Sequence, residues 1–169
     1  MTETVLTATV TGPIGELALL VYDDVLVAAG FGPAEAQHAR LRTPPPLRRV
    51  NDLGPFSAAL SAYFDGDVTA IDTLPVHQPG GVFRQAAWKV MREVRPGETI
   101  SYAELAARAG SPLAARAAGS ACAQNLIAPV VPCHRVVRGH DAPAGRRLGG
   151  YAYGLSRKEW LLAHERESG

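Results

Sequence analysis

Ser101-Tyr102-Ala103-Glu104-Leu105-Ala106-Ala107-Arg108-Ala109-Gly110-Ser111-Pro112-Leu113-Ala114-Ala115-Arg116-Ala117-Ala118-Gly119-Ser120-Ala121 decides how the second half of this 169-residue chain folds. Ser101 and Glu104 stand at capping-box spacing, where the serine hydroxyl takes an orphan amide and the glutamate reaches back to the cap. A short helix therefore opens at Tyr102 and runs to Ala109, where Gly110 turns the chain. Ser111 reads as the next cap with Pro112 at the first helical position. A second helix follows through Ala114, Arg116, Ala118 and Ala121. Two short helices joined by a glycine-containing turn make a helix-turn-helix pattern.

Upstream, residues 82–94 place Phe83, Ala87, Val90, Met91 and Val94 on one stripe of a helix that Pro96-Gly97 ends. Pro79-Gly80-Gly81 is the expected junction between two parts. Before it the chain reads as strands: 5–10 alternates, and 16–22 and 25–31 pair around Asp23-Asp24. Residues 33–42 are weakly helical, and Pro44-Pro45-Pro46 forms an extended connection. Residues 56–64 have helical spacing and stop at Asp65-Gly66, and 68–74 is expected to be a further strand. Downstream, Ser156-Arg157-Lys158-Glu159 is a second capping box, opening an amphipathic helix to about Glu165. The fold class expected is α/β (α+β): a small α/β domain with an antiparallel sheet over 1–78, and a mostly helical domain with the helix-turn-helix over 79–169.

A 47% apolar and 20% charged composition is that of an ordinary globular protein. Residues 1–10 alternate threonine with apolar side chains and do not read as a signal peptide. No stretch approaches the roughly 20 apolar residues of a membrane span. The two cysteines, Cys122 and Cys133, are too few for a disulfide framework. A cytoplasmic, reduced protein is expected. The net charge of +1 hides an asymmetry, −5 over residues 1–83 and +6 over 84–169, so the second half is the one able to meet phosphate.

Pro132-Cys133-His134-Arg135-Val136 follows the apolar run 127–131. A cysteine at the end of an apolar segment is held by packed backbone yet reachable. A neighbouring histidine and arginine favour its thiolate, the reactive form. Adjacent residues of a strand point to opposite faces, so His134 serves Cys133 only if the chain bends there. Three readings stand at this point: a group acceptor, a cysteine hydrolase, and a binding module without chemistry. The second helix of the pair is mostly Ala, Gly and Ser, with Arg116 its one long cation. Small side chains let a helix backbone come close to a minor groove, with Arg116 inserted to fill the space of an extruded base. The same composition suits a tightly packed core helix. Cys122 reads as a small buried apolar residue.

Gly97-Glu98-Thr99-Ile100-Ser101-Tyr102, Ala115-Arg116-Ala117, Asn125, 132–136, Gly150-Tyr151 and Lys158-Glu159-Trp160-Leu161-Leu162-Ala163-His164-Glu165 together resemble the O6-alkylguanine-DNA alkyltransferases, in order from about Phe83 to Glu165. The likeness is weaker but present in the opening hairpin and in Ala62-Tyr63-Phe64-Asp65-Gly66. It implies a ribonuclease H-like N-terminal domain and irreversible, single-use transfer of an alkyl group from O6-alkylguanine in duplex DNA to Cys133. O4-alkylthymine is a second candidate substrate. By resemblance, Glu165 orients His134, which reaches the cysteine through a water, and Tyr102 donates to the leaving guanine. Lys158 adds positive potential, and Asn125 ties the turn ahead of the cysteine. Arg116, Ala115, Ser120 and Arg135 are the DNA-contacting residues so implied. Tyr151, Ala152, Tyr153 and Val136 form the base pocket.

Three departures from the family pattern stand out. Leu126 follows Asn125 where proline is usual, Tyr153 stands where glycine is common, and Ala142-Pro143-Ala144-Gly145-Arg146-Arg147 looks inserted. Arg146 and Arg147 are expected to contact a phosphate. No cysteine precedes Cys122, so no N-terminal zinc site and no cofactor are expected. The expected partner is double-stranded DNA carrying O6-alkylguanine, with no membrane, no obligate protein partner and a monomeric state.

Overall fold

The structure is a computed structural model that describes residues 3–139 and 146–168; Ala142-Pro143-Ala144-Gly145 of the expected insertion lies outside the described residues. The chain forms two compact units, residues 1–78 with 126–130, and residues 79–125 with 131–169. Its class is mixed α/β with a mainly antiparallel sheet. No helix among the described residues is long and apolar enough to cross a membrane.

In the first unit, β1 (Val5–Gly12), β2 (Gly15–Tyr22) and β3 (Val25–Phe31) are consecutive antiparallel strands. Asp23 and Asp24, at φ of 53° and 60°, make the two-residue turn between β2 and β3. That turn needs two left-handed residues, and aspartate tolerates the region better than most. Leu17, Ala18, Leu19 and Leu20 of β2, an inner strand between β3 and β1, are fully buried. After α1 (Ala34–His38), the sheet gains a short fourth strand, β4 (Leu47–Arg49), parallel to β1. The sequence reading ended in an extended connection there, because three residues after a proline run carry no alternation to read. The helix α2 (Pro55–Phe64) packs on β1 through a face containing Phe56, Leu60, Tyr63 and Phe64.

The strand expected over 68–74 is instead a series of turns. Its buried residues are Val68, Ile71 and Leu74, a spacing of three rather than the two a strand requires. Strand-like pairing comes just after it. Leu26 exchanges backbone bonds with Pro75 and His77, and Ala29 with Leu126 and Ala128. Both covers lie along β3 and satisfy backbone groups that an open edge would expose. The buried Gln78 side chain accepts from the Leu126 N–H at 2.8 Å. Residues 126–130 thus belong to the first unit, although the sequence reading assigned them to the second.

In the second unit, α3 (Val82–Glu93) buries Ala87, Trp88, Val90 and Met91, and the Trp88 indole donates to the Ala121 carbonyl at 2.9 Å. β5 (Ile100–Ser101) pairs in parallel with β6 (Val136–Val137). The serine half of the capping box forms: Ser101 Oγ accepts the Glu104 N–H at 3.0 Å, and α4 (Tyr102–Arg108) follows, while the Glu104 carboxylate pairs with Arg108 at 2.7 Å rather than reaching back to the cap. The next helix, α5 (Ala115–Ala123), begins three residues after Pro112, and its cap is Ala114 with no side-chain bond. The intervening residues close a turn in which the Ser111 carbonyl, not its hydroxyl, accepts from Ala114. The last helix, α6 (Leu155–Ser168), also departs from expectation. Gly154, at φ +95°, precedes it and accepts the Lys158 N–H. Ser156 therefore lies inside the first turn rather than capping it, and the helix continues beyond Glu165.

Candidate functional site

The segment that carries the reactive cysteine is held at both ends. Asn125, buried, donates its side-chain amide to the Val131 carbonyl at 2.7 Å. Five residues on, Val136–Val137 (β6) pair with β5. Between these anchors the chain bends: Cys133–Arg135 is a 3-10 turn, with Cys133 N–H on the Val131 carbonyl and Arg135 N–H on the Pro132 carbonyl. At about three residues per turn, successive side chains point some 120° apart instead of to opposite faces. Cys133 faces a cleft, while His134 and Arg135 face the interior.

That interior is organised by Glu165 of α6. Its Oε2 accepts His134 Nε2 at 2.9 Å and an Arg135 terminal nitrogen at 2.8 Å, and its Oε1 accepts Arg135 Nε at 2.9 Å. Burial pushes the Glu165 carboxyl up, but the His134 and Arg135 contacts outweigh it and hold the group well below the usual carboxylate range. Burial also lowers the His134 pKa, against the pull of Glu165, so the ring is neutral at physiological pH. A neutral ring whose Nε2–H donates to a carboxylate has Nδ1 as its acceptor. Nδ1 is buried and makes no hydrogen bond among the described residues.

Arg135, expected on the DNA-contacting surface, is only 2% exposed. Its remaining terminal nitrogen donates to the Val94 carbonyl at 2.7 Å. This corrects the assignment: a guanidinium buried to 2% exposure, with Nε and both terminal nitrogens bonded to Glu165 and Val94, does not reach a surface where a phosphate could meet it. Lys158 is likewise fully buried. It donates to the carbonyls of Val136 at 2.8 Å, Gly150 at 3.1 Å and Leu148, and burial lowers its pKa while the two thiols raise it. The lysine thereby ties the end of β6 to the 148–150 loop.

The cleft in front of Cys133 measures about 530 Å³. Tyr102 of α4, Ala115, Arg116 and Cys122 of α5, and Tyr151 and Ala152 of the last loop line it with the cysteine. Tyr102 is half-buried, and burial together with the nearby thiols pushes its phenol up to about 12. It is a neutral hydrogen-bond donor at any working pH. The Gly150 backbone and the Arg138 charge work against that rise without cancelling it. Gly149 stands behind the tyrosine at φ +72°, and a Cβ there would sit 2.6 Å from the Tyr102 oxygen. Only glycine fits that conformation and that approach.

Other expected site residues fall elsewhere. Val136 is fully buried and does not line the cleft; its carbonyl, bound by Lys158, is what it contributes. Tyr153 also stands off the cleft and packs edge-on against Tyr151, ring centroids 5.7 Å apart. The same geometry buries the Tyr151 hydroxyl, which has no hydrogen-bond partner among the described residues. Ser120 is exposed and accepts from Arg84 at 3.4 Å, beside the cleft rather than in it. Cys122 is half-buried and lines the cleft, not the core. Sequence reasoning missed Arg138, which lines the cleft just past β6, and Gly149. Neither carries a motif; both are positioned by the loop that returns to meet Lys158.

Residues 82–167 match the family model described as the 6-O-methylguanine DNA methyltransferase DNA-binding domain, so the class is that of the O6-methylguanine-DNA methyltransferases. A methylated-DNA–protein-cysteine methyltransferase of Shigella flexneri is 44% identical over 112 residues, 66% of this chain and 63% of the relative. The Homo sapiens protein of that name is 39% identical, covering 93% of this chain and 78% of the relative. The crystal structure of Mycobacterium tuberculosis O6-methylguanine methyltransferase aligns at a TM-score of 0.75 and 32% identity, over 98% of this chain and 94% of that one. The same organism's OGT has been solved in complex with DNA; it aligns at 0.75 and 34%, over 98% and 95%. The chain belongs to the methylated-DNA–protein-cysteine methyltransferase family. It spans 63% of the length of the enterobacterial relatives it matches.

Proposed function

We propose that this protein repairs DNA by direct reversal, moving the alkyl group of O6-alkylguanine in duplex DNA onto Cys133, once per molecule. The observation that carries this reading is the single cleft that joins the Cys133 thiol, the Tyr102 hydroxyl and the Arg116 side chain. The base it needs stands directly behind, in the buried His134–Glu165 pair. An ordinary thiol is only a few per cent ionised at neutral pH, so the proton must be taken. Nδ1 of His134 takes it through one water, and Glu165 holds the ring in the tautomer that allows this. The sulfur–carbon bond forms as the carbon–O6 bond breaks. The electron pair leaves with the guanine, and Tyr102 stabilises it by hydrogen bonding. The thioether has no leaving group that restores the thiol, hence single use.

Within this reading, residues 79–169 are the DNA-binding and alkyl-transfer domain, and 1–78 is a ribonuclease H-like domain. The pair α4 and α5, joined by a turn, acts as a helix-turn-helix whose small residues, Ala115 and Ser120 among them, approach the minor groove. Arg116, exposed at the cleft edge, enters the duplex in place of the flipped base. Tyr151 and Ala152 wall the base pocket, and Asn125 and Lys158 hold its backbone. Arg146 and Arg147, both exposed, contact phosphate. Support also comes from the DNA complex of the M. tuberculosis relative. The protein acts as a cytoplasmic monomer without a cofactor. The test is incubation with an O6-methylguanine duplex followed by intact-mass and peptide analysis: a single methylene mass on Cys133 with guanine restored supports the reading, and an untouched lesion overturns it.

A further inference from the structure

Two residues lining the cleft carry charge, Arg116 and Arg138, and both are positive; among the described residues no carboxylate lines it. Arg116 sits on α5 and has a role on the duplex. Arg138 does not share it. Its backbone N–H is fixed on the Arg147 carbonyl at 2.9 Å, immediately after β6, so the residue stands close in sequence and space to the Cys133 turn. The side chain is exposed, and its guanidinium has no hydrogen-bond or ion-pair partner among the described residues. Its charge is felt at the Tyr102 phenol, where it works against the effect of burial. Arg138 thus brings a positive side chain to the same cleft that Cys133 and Tyr102 line.

A methyl or other neutral alkyl group gains little from a guanidinium. A carboxylate gains a charge-assisted, two-pronged contact. It has a second need for one, because the attacking thiolate and an anionic tail approach the same carbon and repel each other at short range in a partly dry site. We propose that Arg138 makes this cleft favour O6-substituents ending in a carboxylate, the carboxymethyl group being the smallest, over neutral alkyl groups. This rests on the reading of Cys133 as alkyl acceptor. The bonds exchanged are unchanged: sulfur–carbon forms, carbon–O6 breaks, and the carboxylate is carried intact onto the cysteine.

The test compares second-order transfer rates on two duplexes that differ only in O6-carboxymethylguanine or O6-methylguanine, for the unsubstituted protein, Arg138→Gln, Arg138→Glu and Arg138→Lys. The ratio of the two rates cancels any loss of folded protein, and its change from the unsubstituted protein to each variant cancels the intrinsic reactivity of the two groups. Expected is a fall of the carboxymethyl-to-methyl ratio of about tenfold in Arg138→Gln, the lower end for a hydrogen bond to a charged group. A larger fall is expected in Arg138→Glu, and near-retention in Arg138→Lys. An unchanged ratio in Arg138→Gln overturns the proposal. So does a parallel loss of both rates with weaker binding to undamaged duplex, which identifies a phosphate contact. If the unsubstituted protein moves neither group onto Cys133, the reading of Cys133 itself fails.

Discussion

Replacing Glu165 by glutamine keeps the side chain's size and removes its charge. In the structure this carboxylate accepts three hydrogen bonds, from His134 Nε2, Arg135 Nε and an Arg135 terminal nitrogen, and every atom involved is buried. The amide of Glu165→Gln keeps one accepting oxygen but turns an NH2 group against the remaining donors, and it leaves the Arg135 charge without a counter-ion. Breaking a buried pair from one side costs about 3–5 kcal/mol, because the surviving charge stays desolvated. For a chain of this size that corresponds to a melting temperature lower by roughly 6–20 °C. Thermal unfolding followed by circular dichroism reads it, and Glu165→Gln combined with Arg135→Met should recover part of the loss by removing the stranded cation. The pH dependence has a definite sign. The folded Glu165 pKa lies below its unfolded value, so its contribution is complete above about pH 4.3 and fades as the pH falls further. The gap between the two proteins should therefore narrow in acid. A loss below about 1 kcal/mol at pH 7 would refute the view of Glu165 as the hub of this interior.

Three further outcomes follow from the same geometry. Gly149→Ala drives a Cβ against the Tyr102 hydroxyl and forces a strained φ, so transfer to Cys133 should slow at least tenfold while the circular dichroism spectrum is retained; full activity would remove Tyr102 from the chemistry. His134 has a lowered pKa, so its base form persists below pH 6.5, and the acid limb of the transfer rate should lie beneath that value; a half-loss at pH 6.5 would mean an ordinary solvated ring. Arg116→Ala, and separately Arg146→Ala with Arg147→Ala, should change stability by no more than about 0.5 kcal/mol, since all three residues are exposed. The first should slow transfer from duplex far more than from the free alkylated base. The second should weaken duplex binding and flatten its salt dependence, and an unchanged slope would end the phosphate assignment.

What the sequence disclosed, it disclosed through local chemistry. The Asp23-Asp24 turn, the Ser101–Glu104 cap and the stripe on α3 each follow from spacing within a few residues, and each is present. The failures are equally physical. Pro112 and Ser156 carry the right letters for helix starts, yet the helices begin at Ala115 and Leu155, because caps compete with turns that the sequence does not rank. The segment 126–130 joins the first unit through bonds to Ala29 and Gln78, partners about 50 to 100 positions away. Arg135 looked like a free cation beside a thiol. Only the 3-10 turn, which rotates it inward onto Glu165, shows that its charge belongs to the histidine's support. Arg138, three residues on, is the cation of this segment that lines the cleft.

The central claim is that Cys133 is consumed as an acceptor, and one measurement reaches it directly. The protein is mixed with a molar excess of O6-methylguanine duplex, and its intact mass and Cys133 peptide are followed against guanine recovery. A single methylene mass on Cys133, equal in amount to the guanine restored and stable over days, is the predicted result. Guanine restored in excess of protein, with Cys133 unmodified, would contradict the account and point to a hydrolase using the same thiol.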